Sequence, residues 1–173
     1  MEKYVPDVYQ KSIYTINYNK LKNNGIKCLL FDLDNTLVPY KIKKPTDKVI
    51  ELFNKLKEQG FKVVLFSNSS KKRLEPFKEQ LGVDYCARAW KPSPKKFISV
   101  IGELGFNISE VAIIGDQLLT DILGGNRVGI TTILINPISK NDYFFTYFNR
   151  IREKHKIKKL SKLDLFYKGK YYE

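Results

Sequence analysis

The sequence predicts an α/β protein of three layers: an open parallel sheet of about five strands with helices on both faces. Three observations carry this. Five short runs are almost wholly apolar, as strands buried on both faces are. Between them lie stretches with apolar residues at helical spacing. Glycines close most of those stretches, where helix C-termini favour them. Regular alternation of β and α elements gives a doubly wound, Rossmann-like sheet.

The elements follow in order. Residues 26–31 (Ile-Lys-Cys-Leu-Leu-Phe) read as a buried parallel strand. Pro45 and Thr46 open a helix with Val49, Ile50, Phe53 and Leu56 on one face, and Gly60 stops it. Residues 61–66 (Phe-Lys-Val-Val-Leu-Phe) form the second strand, and a short helix over 73–81 ends at Gly82. A weaker strand covers 84–87. Ser93-Pro94 is a strong helix start, with serine as N-cap and proline in the first turn. Phe97, Ile98, Ile101 and Leu104 supply that helix's buried stripe, and Gly105 ends it. Residues 111–114 (Val-Ala-Ile-Ile) and 131–135 (Thr-Thr-Ile-Leu-Ile) complete the sheet. The organisation is thus a flank (1–26), a core (27–140) and a basic, aromatic extension (141–173) packed on or beside the core. In that extension Phe144, Tyr147, Phe148 and Ile151 recur at helical spacing among Arg150, Arg152 and Lys154.

Composition narrows the function classes. A chain of 173 residues suits one domain with a real core. Two cysteines, Cys28 and Cys86, make no disulfide framework and suggest a reducing compartment. No apolar run approaches the ~20 residues that span a bilayer, and the start lacks the layout of a signal peptide. A cytoplasmic location is expected, with peripheral contact at the inner face of the membrane as its one extension. The net charge is +13, and the flanks at 1–27 and 140–173 hold +9 of it. Such an excess is either solvated surface or an attraction to a polyanion, nucleic acid or anionic membrane.

Functional residues of a parallel sheet gather at the carboxyl ends of its strands. The first strand runs into Asp32-Leu33-Asp34-Asn35-Thr36, the second ends at Ser67-Asn68, and Lys91-Pro92 follows the third. The fourth ends at Gly115-Asp116, with Asp121 five residues on. Crowded carboxylates repel unless a cation neutralises them, and hard oxygen ligands favour Mg²⁺. A lysine beside them fits a phosphate dianion. Asp32 and Asp34, at i and i+2 of an extended segment, point to the same side. One can attack phosphorus while the other handles a proton, dividing a very slow hydrolysis into two steps.

These four motifs resemble, in order, those of the haloacid-dehalogenase (HAD) phosphatase superfamily. The stretch from Gly115 to Asp121 with Gly124-Gly125-Asn126-Arg127 is similar to the YqeG-type branch, itself similar to the mitochondrial phosphatidylglycerophosphatase. The resemblance implies roles by position. Asp32 is the nucleophile and a Mg²⁺ ligand. Asp34 is the general acid and base and lends its backbone carbonyl to the metal. Thr36 orients the loop, and Ser67 and Asn68 bind phosphoryl oxygens. Lys91 neutralises developing charge, and Asp116 ligates Mg²⁺. Asp121 either supports the metal's water shell or Lys91, or caps the following helix. Arg127 falls ~10 Å along that helix and reads as structural. His155 reads as exposed, Cys28 as buried core, and Trp90 as packing or a wall of the site.

Many relatives carry a cap domain over the site. Here the gaps from Asp34 to Ser67 and from Asn68 to Lys91 are too short for one, so the site stays open. An open site favours a macromolecular or lipid substrate, and the resemblance implies phosphatidylglycerophosphate. The loop over 37–44 and the segment from Pro137 onward, both leaving the catalytic edge, mix lysine with aromatic and aliphatic residues and suit an anionic membrane surface. Two alternatives stand beside this: a phosphatase acting on a phosphoprotein or polynucleotide end, and a nucleic-acid-binding protein with a vestigial site. No recognised nucleic-acid motif is present, so no specific nucleic acid is expected as a partner.

Overall fold

The computed structural model describes residues 1–139 and 144–173, with the side chains of 144–147 left out of the description. Its strands are β1 (Val8–Gln10), β2 (Cys28–Phe31), β3 (Lys62–Phe66), β4 (Asp84–Cys86), β5 (Val111–Gly115) and β6 (Thr131–Ile135). All pair in parallel in the order β1-β6-β5-β2-β3-β4. The sheet therefore has six strands where the sequence predicts about five. The additional edge strand is β1, in the N-terminal flank. Its Val-Tyr-Gln carries no apolar run to betray it, and it becomes a strand by pairing with β6.

The helices are α1 (Tyr18–Asn23), α2 (Asp47–Glu58), α3 (Lys71–Leu81), α4 (Pro94–Leu104), α5 (Leu123–Val128) and α6 (Phe144–Lys162). Thr46 caps α2, accepting a hydrogen bond from the Val49 amide at 3.3 Å. Gly82 and Gly105 end α3 and α4 in the left-handed conformation. β2 shows how the layers form. Leu29 and Phe31 face one cluster with Phe53, Leu56, Phe77 and Leu81 of α2 and α3. Cys28 and Leu30 face the other, with Phe97 and Ile101 of α4. Alternate residues thus supply two cores, and the sheet is covered on both faces.

A third cluster joins both ends of the chain. Tyr9 of β1 and Leu134 of β6 pack with Leu160 and Phe166. Tyr9 and Tyr172 exchange backbone hydrogen bonds of 2.8 and 2.9 Å. The flanks thereby cover the β1 edge of the sheet, whose open backbone groups would otherwise face water. In the predicted tail stripe, Phe148 and Ile151 are exposed, while the Phe144 and Tyr147 side chains lie outside the described residues.

Strand order reverses between β2 and β5, the switch point at which an open α/β sheet forms its crevice. Asp32, Ser67 and Asp116 directly follow β2, β3 and β5 at that edge.

Candidate active site

Lys91 is the hub. Its ammonium donates to Asp32 Oδ1 at 2.7 Å, Asp121 Oδ1 at 2.6 Å and the Phe66 carbonyl at 2.9 Å. These three acceptors use its three N–H bonds, and its side chain is 2% exposed. Burial alone pushes the ammonium's pKa down, but Asp121 and Asp32 outweigh it and the net direction is upward. Lys91 is a fixed positive charge.

Asp121 approaches Lys91 because a π-helical turn, Leu118–Ile122, precedes α5. Its carboxylate also accepts the Gln117 amide at 3.1 Å. Gly115 makes the approach feasible, since a Cβ there would lie 2.2 Å from the Asp121 carboxylate. Of the two roles left open for Asp121, the observed contact is with Lys91. Thr36 is fully buried and links Asp32 and Asp116, donating toward Asp116 Oδ1 at 3.2 Å and Asp32 Oδ2 at 3.5 Å. The tight loop behind it places Asn35 at φ +62°, a conformation asparagine tolerates.

Ser67 is buried at the end of β3, where its hydroxyl accepts the Ser69 amide at 3.1 Å. The side chain of Asn68, expected on phosphoryl oxygens, holds the Lys91 backbone. It accepts from the Lys91 amide at 2.7 Å and donates to the Lys91 carbonyl at 3.0 Å. The amide geometry of asparagine matches a peptide unit, so this pairing braces the loop that carries Lys91.

Four partners escape the sequence reading. Ser69 donates to Asp34 Oδ2 at 2.6 Å, and Arg73 on α3 donates to Asp34 Oδ1 through Nε at 3.1 Å and a terminal nitrogen at 2.8 Å. Burial pushes the Asp34 carboxyl above the usual range, aided by Asp32; Ser69 and Arg73 pull it back. From α6, Arg150 pairs with Asp116 Oδ2 and donates to the Asp116 carbonyl at 3.0 Å. Glu153 accepts from Arg150 at 3.1 Å and from the Leu119 amide at 3.3 Å. Serine beside Ser67-Asn68 and arginine in the next helical turn offered a weak local signal for the first two. Nothing local marks Arg150 or Glu153 within so basic a tail. As the sequence suggests, Arg127 is structural, holding the Pro92 carbonyl at 3.0 Å, His155 is exposed and contacts Ile151 on its own helix, and Cys28 is buried; Trp90, read as packing or a wall, is 70% exposed.

The buried acids outnumber the cations that face them. Oxygens of Asp32, Asp116 and Asp121 lie within 4.8 Å of one another. With Glu153 they make four buried carboxylates, facing only the cations Lys91 and Arg150 among the described residues. Asp34 faces Arg73 and stands outside this count. The shortfall is two positive charges, which one divalent cation bound by hard oxygens supplies. Asp116 and Asp121 carry its mark, since burial pushes both carboxyls up and neighbouring acids add to it.

Residues 39–129, more than half of the chain, match the haloacid dehalogenase-like hydrolase family. The chain belongs to this family. It is 42% identical over 147 residues to the probable phosphatase YqeG of Bacillus subtilis, covering 85% of this chain and 86% of that one. It is 29% identical over 147 residues to phosphatidylglycerophosphate phosphatase 1 (chloroplastic/mitochondrial) of Arabidopsis thaliana, covering 79% of this chain but only 42% of the plant protein. Its fold is similar to that of the cobalt-bound deoxy-D-mannose-octulosonate 8-phosphate phosphatase of Haemophilus influenzae, with a TM-score of 0.54 at 14% identity over 80% of this chain and 94% of that one. The HAD-like protein is a phosphatase, and its acidic cluster lies where a parallel sheet holds its site.

Proposed function

We propose that the protein is a Mg²⁺-dependent phosphomonoesterase that works through an aspartyl-phosphate and converts phosphatidylglycerophosphate to phosphatidylglycerol. The observation that carries the reaction type is the buried cluster of Asp32, Asp116 and Asp121 around Lys91. The substrate rests on the likeness to the plant phosphatidylglycerophosphate phosphatase and on an open edge bearing exposed Trp90, Ile42 and Ile138.

The Asp32 carboxylate attacks phosphorus, and Asp34 protonates the departing alkoxide. Asp34 then takes a proton from water, which attacks the aspartyl-phosphate, releasing phosphate and restoring Asp32. The raised pKa of Asp34 suits a group that must first be an acid, and Arg73 and Ser69 orient it. Lys91 stabilises charge developing on the phosphoryl oxygens. Ser67 binds those oxygens, whereas Asn68 acts through the Lys91 backbone. Asp32, Asp116 and the Asp34 carbonyl would hold Mg²⁺, which would supply charge neutralisation of the carboxylates and Lewis-acid polarisation of the phosphoryl group. Thr36 and Asp121 keep the ligands and Lys91 in register. The lysine-rich loop over 37–44 and exposed Trp90 form the peripheral contact with an anionic cytoplasmic membrane face.

Phosphate release from phosphatidylglycerophosphate in mixed micelles tests this. Wild type should require Mg²⁺, and Asp32→Asn should lose about a thousand-fold or more. Hydrolysis that survives Asp32→Asn would show that the nucleophile lies elsewhere.

A further inference from the structure

The end of β6 and one side of α6 enclose a cleft of about 70 Å³ that the chemistry above leaves unused. Asp116 lines it, so it adjoins the acidic cluster. Leu134 and Phe166 give it an apolar wall, while Arg150, Lys154 and Lys168 bring positive charge. Its two acids, Asp116 and Glu153, are both bonded to Arg150. Lys154 and Lys168 are different: among the described residues no carboxylate pairs with either. At ~10–15 Å³ per water the volume holds several waters, about the size of one phosphate group and far too small for an acyl chain.

Two exposed lysines, which no carboxylate meets among the described residues, line this cleft with the part-buried Arg150 beside the acidic cluster, and that positive charge favours an anion. We propose that this cleft binds a second, non-reacting phosphate of the substrate, a phosphodiester carried alongside the monoester. The proposal rests on the reading of the substrate as a phosphorylated lipid headgroup. Binding energy from this remote group would hold the monoester against Asp32, as substrate-positioning contacts do. Arg150 joins the two places, one arm on Asp116 and its helix carrying Lys154. Free inorganic phosphate has related chemistry, and the test separates the two.

Glycerophosphoglycerol, a diester without a monoester, is titrated by calorimetry in the presence of Mg²⁺ into wild type, Lys154→Ala/Lys168→Ala and Lys154→Arg/Lys168→Arg. Inorganic phosphate is the parallel titrant. The diester should bind wild type, weaken ten-fold or more in the double alanine variant, and recover in the double arginine variant. Absent wild-type binding, or equal binding by all three proteins, would overturn the proposal. A ten-fold loss confined to inorganic phosphate would make the cleft a free-phosphate site and overturn the diester assignment. Hydrolysis of glycerophosphoglycerophosphate is followed in parallel. If none occurs while diester binding depends on Lys154 and Lys168, the substrate reading fails and the anion cleft stands.

Discussion

Asp116 is held where a carboxylate least tolerates its charge. Burial pushes its pKa up to about 8, Arg150 opposes this, and Asp32 and Asp121 add to it. Asp121 rises to about 6, again through burial first, with Lys91 opposing. A carboxyl raised on folding favours the protonated native state. Its stabilisation is complete below the ordinary carboxylate range of about 4, and is lost as pH rises through about 6 and then about 8. The proposed Mg²⁺ would need the ionised form, so its effect would run the other way. The gain in Tm on adding Mg²⁺ should be small at pH 5 and grow toward pH 8, and Asp32→Asn should reduce it at pH 8. A gain independent of pH would argue that these carboxylates do not hold the ion. Much of this site was legible in the sequence. Asp32, Ser67, Lys91 and Asp116 could be named because each follows a strand by a few residues, and parallel strands deliver such residues to one edge. Arg73 left only a weak local signal and Arg150 none, since each lies on a helix and not at a strand end.

Among the elements, the least legible are at the ends. β1 has three residues and α1 six, too few for periodicity to rise above its background. Their stability comes from packing. Phe166 is buried against Tyr9 with ring centroids 5.1 Å apart, and the cluster they share seats α6 against the sheet. Phe166→Ala should destabilise the protein by about 3–5 kcal/mol in urea unfolding. A cost within ~0.5 kcal/mol, typical of surface positions, would show that the C-terminal segment does not hold the fold together. Where periodicity extends over several turns, as in α2 and α4, the boundaries in sequence and structure agree to within a residue or two. The π-helical turn before α5 escaped prediction, because Gly115 and the Asp121–Lys91 contact set it, not local propensity.

At the scale of the molecule, a net charge of +13 makes the proposed docking on an anionic surface electrostatic. Trp90 is the single tryptophan, 70% exposed and adjacent in sequence to Lys91. Its fluorescence therefore reports on that edge without a label. Emission should shift to the blue with anionic vesicles at low salt, and return as ionic strength shortens the screening length to a few ångströms. An equal response to neutral vesicles would count against electrostatic docking. The sequence alone determined the alternation of strands and helices and the order of acids, hydroxyl and lysine along the catalytic edge. Those features follow from apolar periodicity and turn chemistry, which act over a few residues. Only the tertiary structure decided that Arg73 orients Asp34, that Arg150 and Glu153 reach Asp116 from the tail, and that two lysines are left beside them in a cleft. Such contacts depend on where distant segments meet, and packing of the whole core settles that.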